Sequence, residues 1–103
     1  MKLTPIQYNL QNIKVDTIMA SILGNHKGYA WHHKHLASLA TEHFDEFISL
    51  PKEKISVPLF SRPGFNMLYV AIRDLFRKKT PEEKLFKKML KEEKVRDFVR
   101  KSI

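Results

Sequence analysis

The chain has 103 residues, no cysteine and a formal net charge of +8 at neutral pH. A chain of this length forms one small domain with a modest core, and 43% hydrophobic residues are too many for a wholly disordered protein. The lack of cysteine excludes disulfides and thiolate metal sites, and the polar N-terminal stretch and short apolar runs argue against a signal peptide or a membrane span. We therefore expect a single helical domain over residues 1–103, in the cytoplasm.

The first predicted helix starts at Thr4-Pro5, where a hydroxyl N-cap precedes a proline at the first helical position. Gly24-Asn25 is a typical helix end. Apolar residues occur on several sides of this helix, which indicates burial. Residues 13–18 also alternate in a way that allows a strand.

A second helix is predicted over residues 29–50, and Pro51 ends it because the residue before a proline avoids helical geometry. Its apolar stripe consists of Leu36, Leu39, Ala40, Phe47 and Leu50. Residues 51–64 contain Pro58 and Pro63 and are predicted to form an extended connection.

The third helix has the clearest pattern, with apolar residues at i, i+3, i+4 and i+7 over three turns. These residues are Phe65, Leu68, Tyr69, Ile72, Leu75 and Phe76. We expect this face to lie in the core, with Leu68, Ile72 and Leu75 buried. Ile72→Ala should then cost about 2–5 kcal/mol.

The fourth helix starts at about residue 81, after Thr80, and Glu83 takes the capping-box position. Four helices joined by short connections predict an all-α fold, a compact bundle of about four helices with the proline-containing connection at residues 51–64.

The basic residues are concentrated toward the C-terminal end, since thirteen of the nineteen Lys and Arg lie in residues 61–103. One side of the fourth helix carries Lys84, Lys87, Lys88, Lys91 and Lys94, opposite the apolar residues Leu85, Phe86, Met89 and Leu90. We call these five lysines the lysine stripe. Such a stripe suits phosphate contacts, and Arg73 and Arg77 would extend it. The alternative is a solvated face that keeps the protein soluble, and the acids Glu82, Glu83, Glu92 and Glu93 at both ends oppose phosphate binding.

After Glu92-Glu93 the helical phase changes, so that Val95, Phe98 and Val99 fall on the side that the lysines occupy. The change predicts a bend, a change of packing partner, or a separate tail helix. These three residues are the candidate contacts for a protein partner.

Five histidines lie within eighteen residues: His26, His32, His33, His35 and His43. His32 with His35, and His43 with Glu46, have the spacing of metal-ligand pairs on a helix. Each pair supplies only two ligands, whereas a zinc site normally needs three or four. The sequence therefore predicts no metal site and no cofactor, and a His-based metal site remains a remote alternative with these four residues as its weak candidates. It shows no nucleophile paired with a base.

The sequence favours a small basic non-catalytic protein that docks on nucleic acid or a ribonucleoprotein through the lysine stripe. An acidic protein surface is a partner of similar chemistry. The alternative is an adaptor or inhibitor that binds a protein partner, or a second copy of itself as a homodimer, through an apolar helical face.

Overall fold

The computed structural model describes residues 2–51 and 56–102, which contain five α-helices and no strand. The helices are α1 (Pro5–Ile22), α2 (His26–Glu42), α3 (Phe44–Ile48), α4 (Arg62–Leu75) and α5 (Pro81–Ser102). The predicted all-α bundle is confirmed, and the strand alternative for residues 13–18 is wrong because they lie within α1. Of the predicted connection at 51–64, residues 52–55 lie outside the described residues and residues 62–64 belong to α4.

The predicted start and end of α1 are confirmed by hydrogen bonds. The Gln7 backbone N–H donates to Thr4 Oγ1 (3.2 Å), and the Thr4 backbone N–H donates to Gln7 Oε1 (3.0 Å), which makes a complete capping box. After α1, Gly24 takes the left-handed conformation (φ 72°) that ends many helices. Asn25 then caps α2 by accepting from the Gly28 N–H at 3.0 Å. This cap starts the second helix three residues earlier than the sequence pattern predicted.

The predicted second helix is in fact two helices, because the backbone leaves helical geometry at His43 (φ −127°, ψ 51°). The break turns α3 back against the bundle. The Phe47 ring therefore lies edge-to-face with the Phe86 ring of α5, with 5.1 Å between centroids.

The core lies where α1, α2 and α5 meet. Its buried residues are Leu10, Leu36, Ala37, Ala40, Leu50 and Phe86. Ala37 and Ala40 are fully buried, and their small side chains let α2 approach its neighbours closely. Both α4 and α5 pack on α2, and α4 also packs on α1, but within the described residues α4 and α5 do not pack on each other.

The prediction that the apolar stripe of α4 lies in the core is wrong. Leu68, Ile72 and Leu75 are 45%, 48% and 80% exposed. The helix packs instead through its opposite side, where Val70 is fully buried and Asn66 Nδ2 donates to the Ile22 carbonyl at 3.0 Å. The physical reason is that α1 and α2 already fill the core with their own side chains, so that α4 contacts them only through a narrow edge.

A single helix, α5, continues from Pro81 to Ser102 through the predicted phase change. Glu92-Glu93 therefore do not mark the start of a separate tail helix. The first half of α5 contacts the core through Phe86 and Leu90, whereas Val95, Phe98 and Val99 are exposed. Across the helices that the structure describes, none combines the length and hydropathy that crossing a bilayer requires.

Candidate functional site

A large apolar surface runs along the solvent side of α4. We call it the α4 face, and its members are Phe65, Leu68, Tyr69, Ile72, Leu75 and Phe76, all of them exposed. Phe60, just before α4, extends it, since its ring lies edge-to-face with that of Phe65 at 6.5 Å between centroids. Scattered exposed apolar residues are ordinary, but a contiguous row of this kind on a small protein marks an interaction surface.

Local hydrogen bonds fix the start of this helix. The Gly64 backbone N–H donates to Ser61 Oγ at 3.2 Å, and the Ser61 hydroxyl donates to the Pro58 carbonyl at 2.6 Å. Gly64 is buried there, and any side chain at this position would collide with the backbone oxygens of Pro58 and Leu59. The connection is thereby held against the first turn, and the orientation of the α4 face is set.

Exposed arginines border one edge of the α4 face. At about 100° per residue, Arg62 and Arg73 fall within about 40° of Tyr69 around the helix. Both side chains are exposed, and neither takes part in an ion pair among the described residues. This edge therefore presents two uncompensated positive charges beside apolar surface.

At its C-terminal end the α4 face borders a cleft of about 450 Å³ between α4, α2 and α5, which we call the basic cleft. Leu75 lines it from α4, and Phe86 and Leu90 line it from α5. Lys84 and Lys87 of the lysine stripe line the same cleft. Apolar and cationic groups thus share one concave surface.

The wall of the basic cleft contains a buried ion cluster centred on Glu83, whose side chain is 1% exposed. Arg77 donates to both carboxylate oxygens, at 3.0 and 2.6 Å. His33 Nδ1 lies 2.6 Å from Glu83 Oε2, and the Thr80 backbone N–H donates to Oε1 at 3.1 Å. This last bond and its reciprocal, from the Glu83 N–H to Thr80 Oγ1, form the predicted capping box.

These donors decide the ionisation of the cluster. Burial raises the pKa of Glu83, but hydrogen bonds from Arg77, the Thr80 backbone and His33 outweigh it and hold the pKa at about 2. Burial likewise raises the pKa of Asp74, and the bonds from Arg77 and Lys79 bring it below its ordinary value. The hydrogen bond to Glu83 raises the pKa of Arg77 despite partial burial. Both carboxylates are therefore ionised and paired at neutral pH.

Two of the predicted phosphate-binding residues differ in availability. Arg77 is largely buried, and it also donates to Asp74 Oδ1 at 2.7 Å. A phosphate contact by Arg77 would require breaking this cluster. Arg73 is exposed and unpaired within the described residues.

All five residues of the lysine stripe are exposed, and none forms an ion pair with another described residue. The acids that oppose phosphate binding are partly neutralised. Glu83 is held by Arg77, and Glu93 pairs with Arg100 at 3.1 Å and Arg96 at 3.8 Å. Glu82 and Glu92 are exposed.

The structure does not gather the histidines into one site. The rings of His32 and His35 lie against Trp31, with centroid distances of 5.0 Å from Trp31 to His32 and 6.0 Å from Trp31 to His35. His43 lies at the junction of α2 and α3, and Glu46 lies in α3. No group of three potential metal ligands occurs within residues 2–51 and 56–102. The bond between His33 and Glu83 was not predicted, because fifty residues separate them and neither forms a local motif with the other.

Comparisons with protein-family models, with curated proteins and with solved structures give no match for this chain.

Proposed function

We propose that the protein is a non-catalytic docking protein that binds a protein partner through the α4 face. The observation that carries this proposal is that the most amphipathic helix turns its large apolar side chains outward. Burial of a fully exposed side chain of this kind contributes about 1.5–3 kcal/mol. The six side chains are 45–87% exposed, so a partner gains part of that free energy at each one it covers. The proposal includes an intracellular location, with which a cysteine-free sequence is compatible.

Glu83 is not a candidate for a general base. A general base at neutral pH needs a pKa near the working pH and a free lone pair directed at a substrate. The Glu83 carboxylate instead has a pKa of about 2 and accepts from three residues. Its geometry is that of a structural tie between helices.

The proposal is tested by affinity capture from a source-cell lysate with two matched variants. Ile72→Glu places a charge in the α4 face, and Met19→Glu places the same charge at an equally exposed apolar residue of α1 (48% and 47% exposed). We expect Ile72→Glu to lose the captured protein, and Met19→Glu and nuclease treatment to have no effect. Equal capture by both variants would refute docking through α4.

Docking on nucleic acid through the lysine stripe is the second candidate. It is supported by five exposed lysines without ion pairs in the described part of the chain and by the pairing of Glu83 and Glu93. In this case capture would depend on the lysines, fall steeply with salt and disappear after nuclease treatment.

Val95, Phe98 and Val99 offer a smaller apolar surface for a protein partner on the exposed half of α5. Replacing these three residues by polar ones in the same capture assay separates this surface from the α4 face.

A further inference from the structure

We infer that the segment that binds the α4 face is an amphipathic helix carrying acidic residues, and that its acidic end lies in the basic cleft against Lys84 and Lys87. The inference rests on the proposed function, because it names the chemistry of the partner for the same surface.

The shape of the α4 face suits a helix. From residue 65 to residue 76 it extends about 16 Å along the axis, which is three turns. Concave surfaces border it, since Leu68 lines a cleft of about 390 Å³ with Leu59, and Leu75 lines the basic cleft. A partner helix with an apolar stripe of similar length could pack along this row and place its own side chains in the flanking clefts, as helices do when they pack on one another.

The basic cleft, of about 450 Å³, has room for side chains from the end of such a segment. Both α4 and α5 pack on α2, and the Arg77–Glu83 pair joins the link after α4 to the first turn of α5. The basic cleft is lined by Leu75 of α4 and by Leu90 of α5. A partner helix entering here would contact apolar side chains of both helices.

The unpaired cations near the α4 face favour a partner with negative charge. The acids that line the basic cleft, Asp74 and Glu83, are paired with Arg77, His33 and Lys79, whereas Lys84 and Lys87 have no ion pair in the described part of the chain. Together with Arg62 and Arg73, four exposed cations border the α4 face, two along one edge and two in the cleft at its C-terminal end. Complementary carboxylates would be attracted and steered to this surface, and lysines or arginines on a partner would be repelled.

The same charges disfavour a second copy of the chain. When two α4 helices pack antiparallel about a two-fold axis perpendicular to them, like edges lie side by side, so that the Arg62 and Arg73 edge of one copy meets that of the other. Like charges at such an interface cost free energy, and the net charge of +8 on each copy adds to the repulsion.

Two fluorescent helical peptides of about 18 residues test the inference. Both carry leucine on one face, and the flanks carry glutamate in one peptide and lysine in the other. Binding to the full chain is measured by fluorescence anisotropy at low and moderate salt. We expect the glutamate peptide to bind at least about tenfold more tightly than the lysine peptide, with the difference shrinking as salt rises.

Variants with equal charge changes locate the contact. Lys84→Gln with Lys87→Gln removes two cations from the basic cleft, and Lys88→Gln with Lys91→Gln removes two from the same helix outside that cleft. The Lys84→Gln, Lys87→Gln variant should lose at least about threefold more affinity for the glutamate peptide than the Lys88→Gln, Lys91→Gln variant does. Ile72→Glu should abolish binding of both peptides, and circular dichroism confirms that each variant is folded.

Each other result overturns the inference and leaves the capture test of the proposed function to stand by itself. Equal affinity for both peptides would mean apolar docking without charge selection. Equal effects of the two lysine pairs would mean unspecific attraction. Binding of neither peptide would exclude a helical acidic partner. Self-association in sedimentation that Ile72→Glu abolishes would identify a second copy as the occupant, and anionic vesicles that bind only with Ile72 present would identify a lipid surface.

Discussion

The Glu83 carboxylate, which belongs to α5, ties three parts of the fold together. It contacts His33 of α2 and Arg77 of the link after α4. The Thr80-Pro81 start predicts its local role, because a capping box needs only residues three positions apart. Its long-range partners have no local signal. From the sequence, Arg77 looks like an ordinary surface cation. Only the turn of the chain between α4 and α5 places its guanidinium against the Glu83 carboxylate.

Glu83→Gln should destabilise the protein by about 3 kcal/mol at neutral pH, because the largely buried Arg77 then loses one of its two charge partners and keeps only Asp74. Glutamine still supports a capping box, so the change isolates the loss of charge. Urea unfolding followed by circular dichroism measures the effect, since Trp31 is mostly exposed and is a weak reporter of burial. The control Glu82→Gln, on an exposed acid of the same turn, should cost less than about 1 kcal/mol. Equal losses would contradict the cluster's role.

The stability that Glu83 contributes should depend on pH in a defined window. Its pKa of about 2 in the folded protein is below the ordinary 4.5, so its contribution is fully present above about pH 4.5 and is lost as the pH falls toward 2. The shift corresponds to about 3 kcal/mol. Unfolding free energies of the wild type and Glu83→Gln, measured from pH 6 to about pH 2, should therefore converge on acidification. A constant difference would show that the lowered pKa does not link Glu83 to stability.

Among the elements, the Thr-Pro pairs at Thr4-Pro5 and Thr80-Pro81 correctly predicted where α1 and α5 begin. The ends of α2 and α3 and the orientation of α4 depend on packing instead. No glycine or proline lies at His43, so the sequence carries no local signal for the break there. We attribute the break to the packing of Phe47 of α3 against Phe86 of α5. The periodicity of α4 predicted the helix itself but not its orientation. An amphipathic pattern indicates that a face is to be covered, and it does not say whether the cover comes from the same chain.

Leu10→Ala should cost about 2–5 kcal/mol, because Leu10 is fully buried in the core and truncation leaves a cavity. Ile72→Ala should cost less than about 1 kcal/mol, because half of the side chain is already in solvent. Both are measured by urea unfolding under the same conditions. A loss for Ile72→Ala as large as that for Leu10→Ala would place the α4 face inside the fold, as the sequence pattern suggested.

At the scale of the whole molecule, cationic and apolar side chains line the same cleft. The lysine stripe could be predicted as exposed from the sequence, because lysines opposite an apolar arc have little else to face. That Lys84 and Lys87 line one cleft with Leu75 could not be predicted from the sequence, because it depends on where α4 and α5 each pack on α2. For this reason the candidate site differs from the one the sequence favoured, although several residues are shared.

The final prediction tests the lysine stripe as a phosphate-binding surface. Replacing Lys87, Lys88 and Lys91 by glutamine should leave the fold intact, because all three are exposed and have no ion pair within the described residues. If they contact duplex DNA, the slope of log affinity against log salt should fall by up to about 0.9 for each lost contact. The matched control replaces the exposed Lys2, Lys27 and Lys34, an equal loss of charge elsewhere on the molecule. Since release of counterions depends on phosphates actually neutralised, only the first triple variant should flatten the slope substantially. Equal flattening by both would show diffuse attraction by a basic protein, and it would leave the α4 face as the specific binding surface.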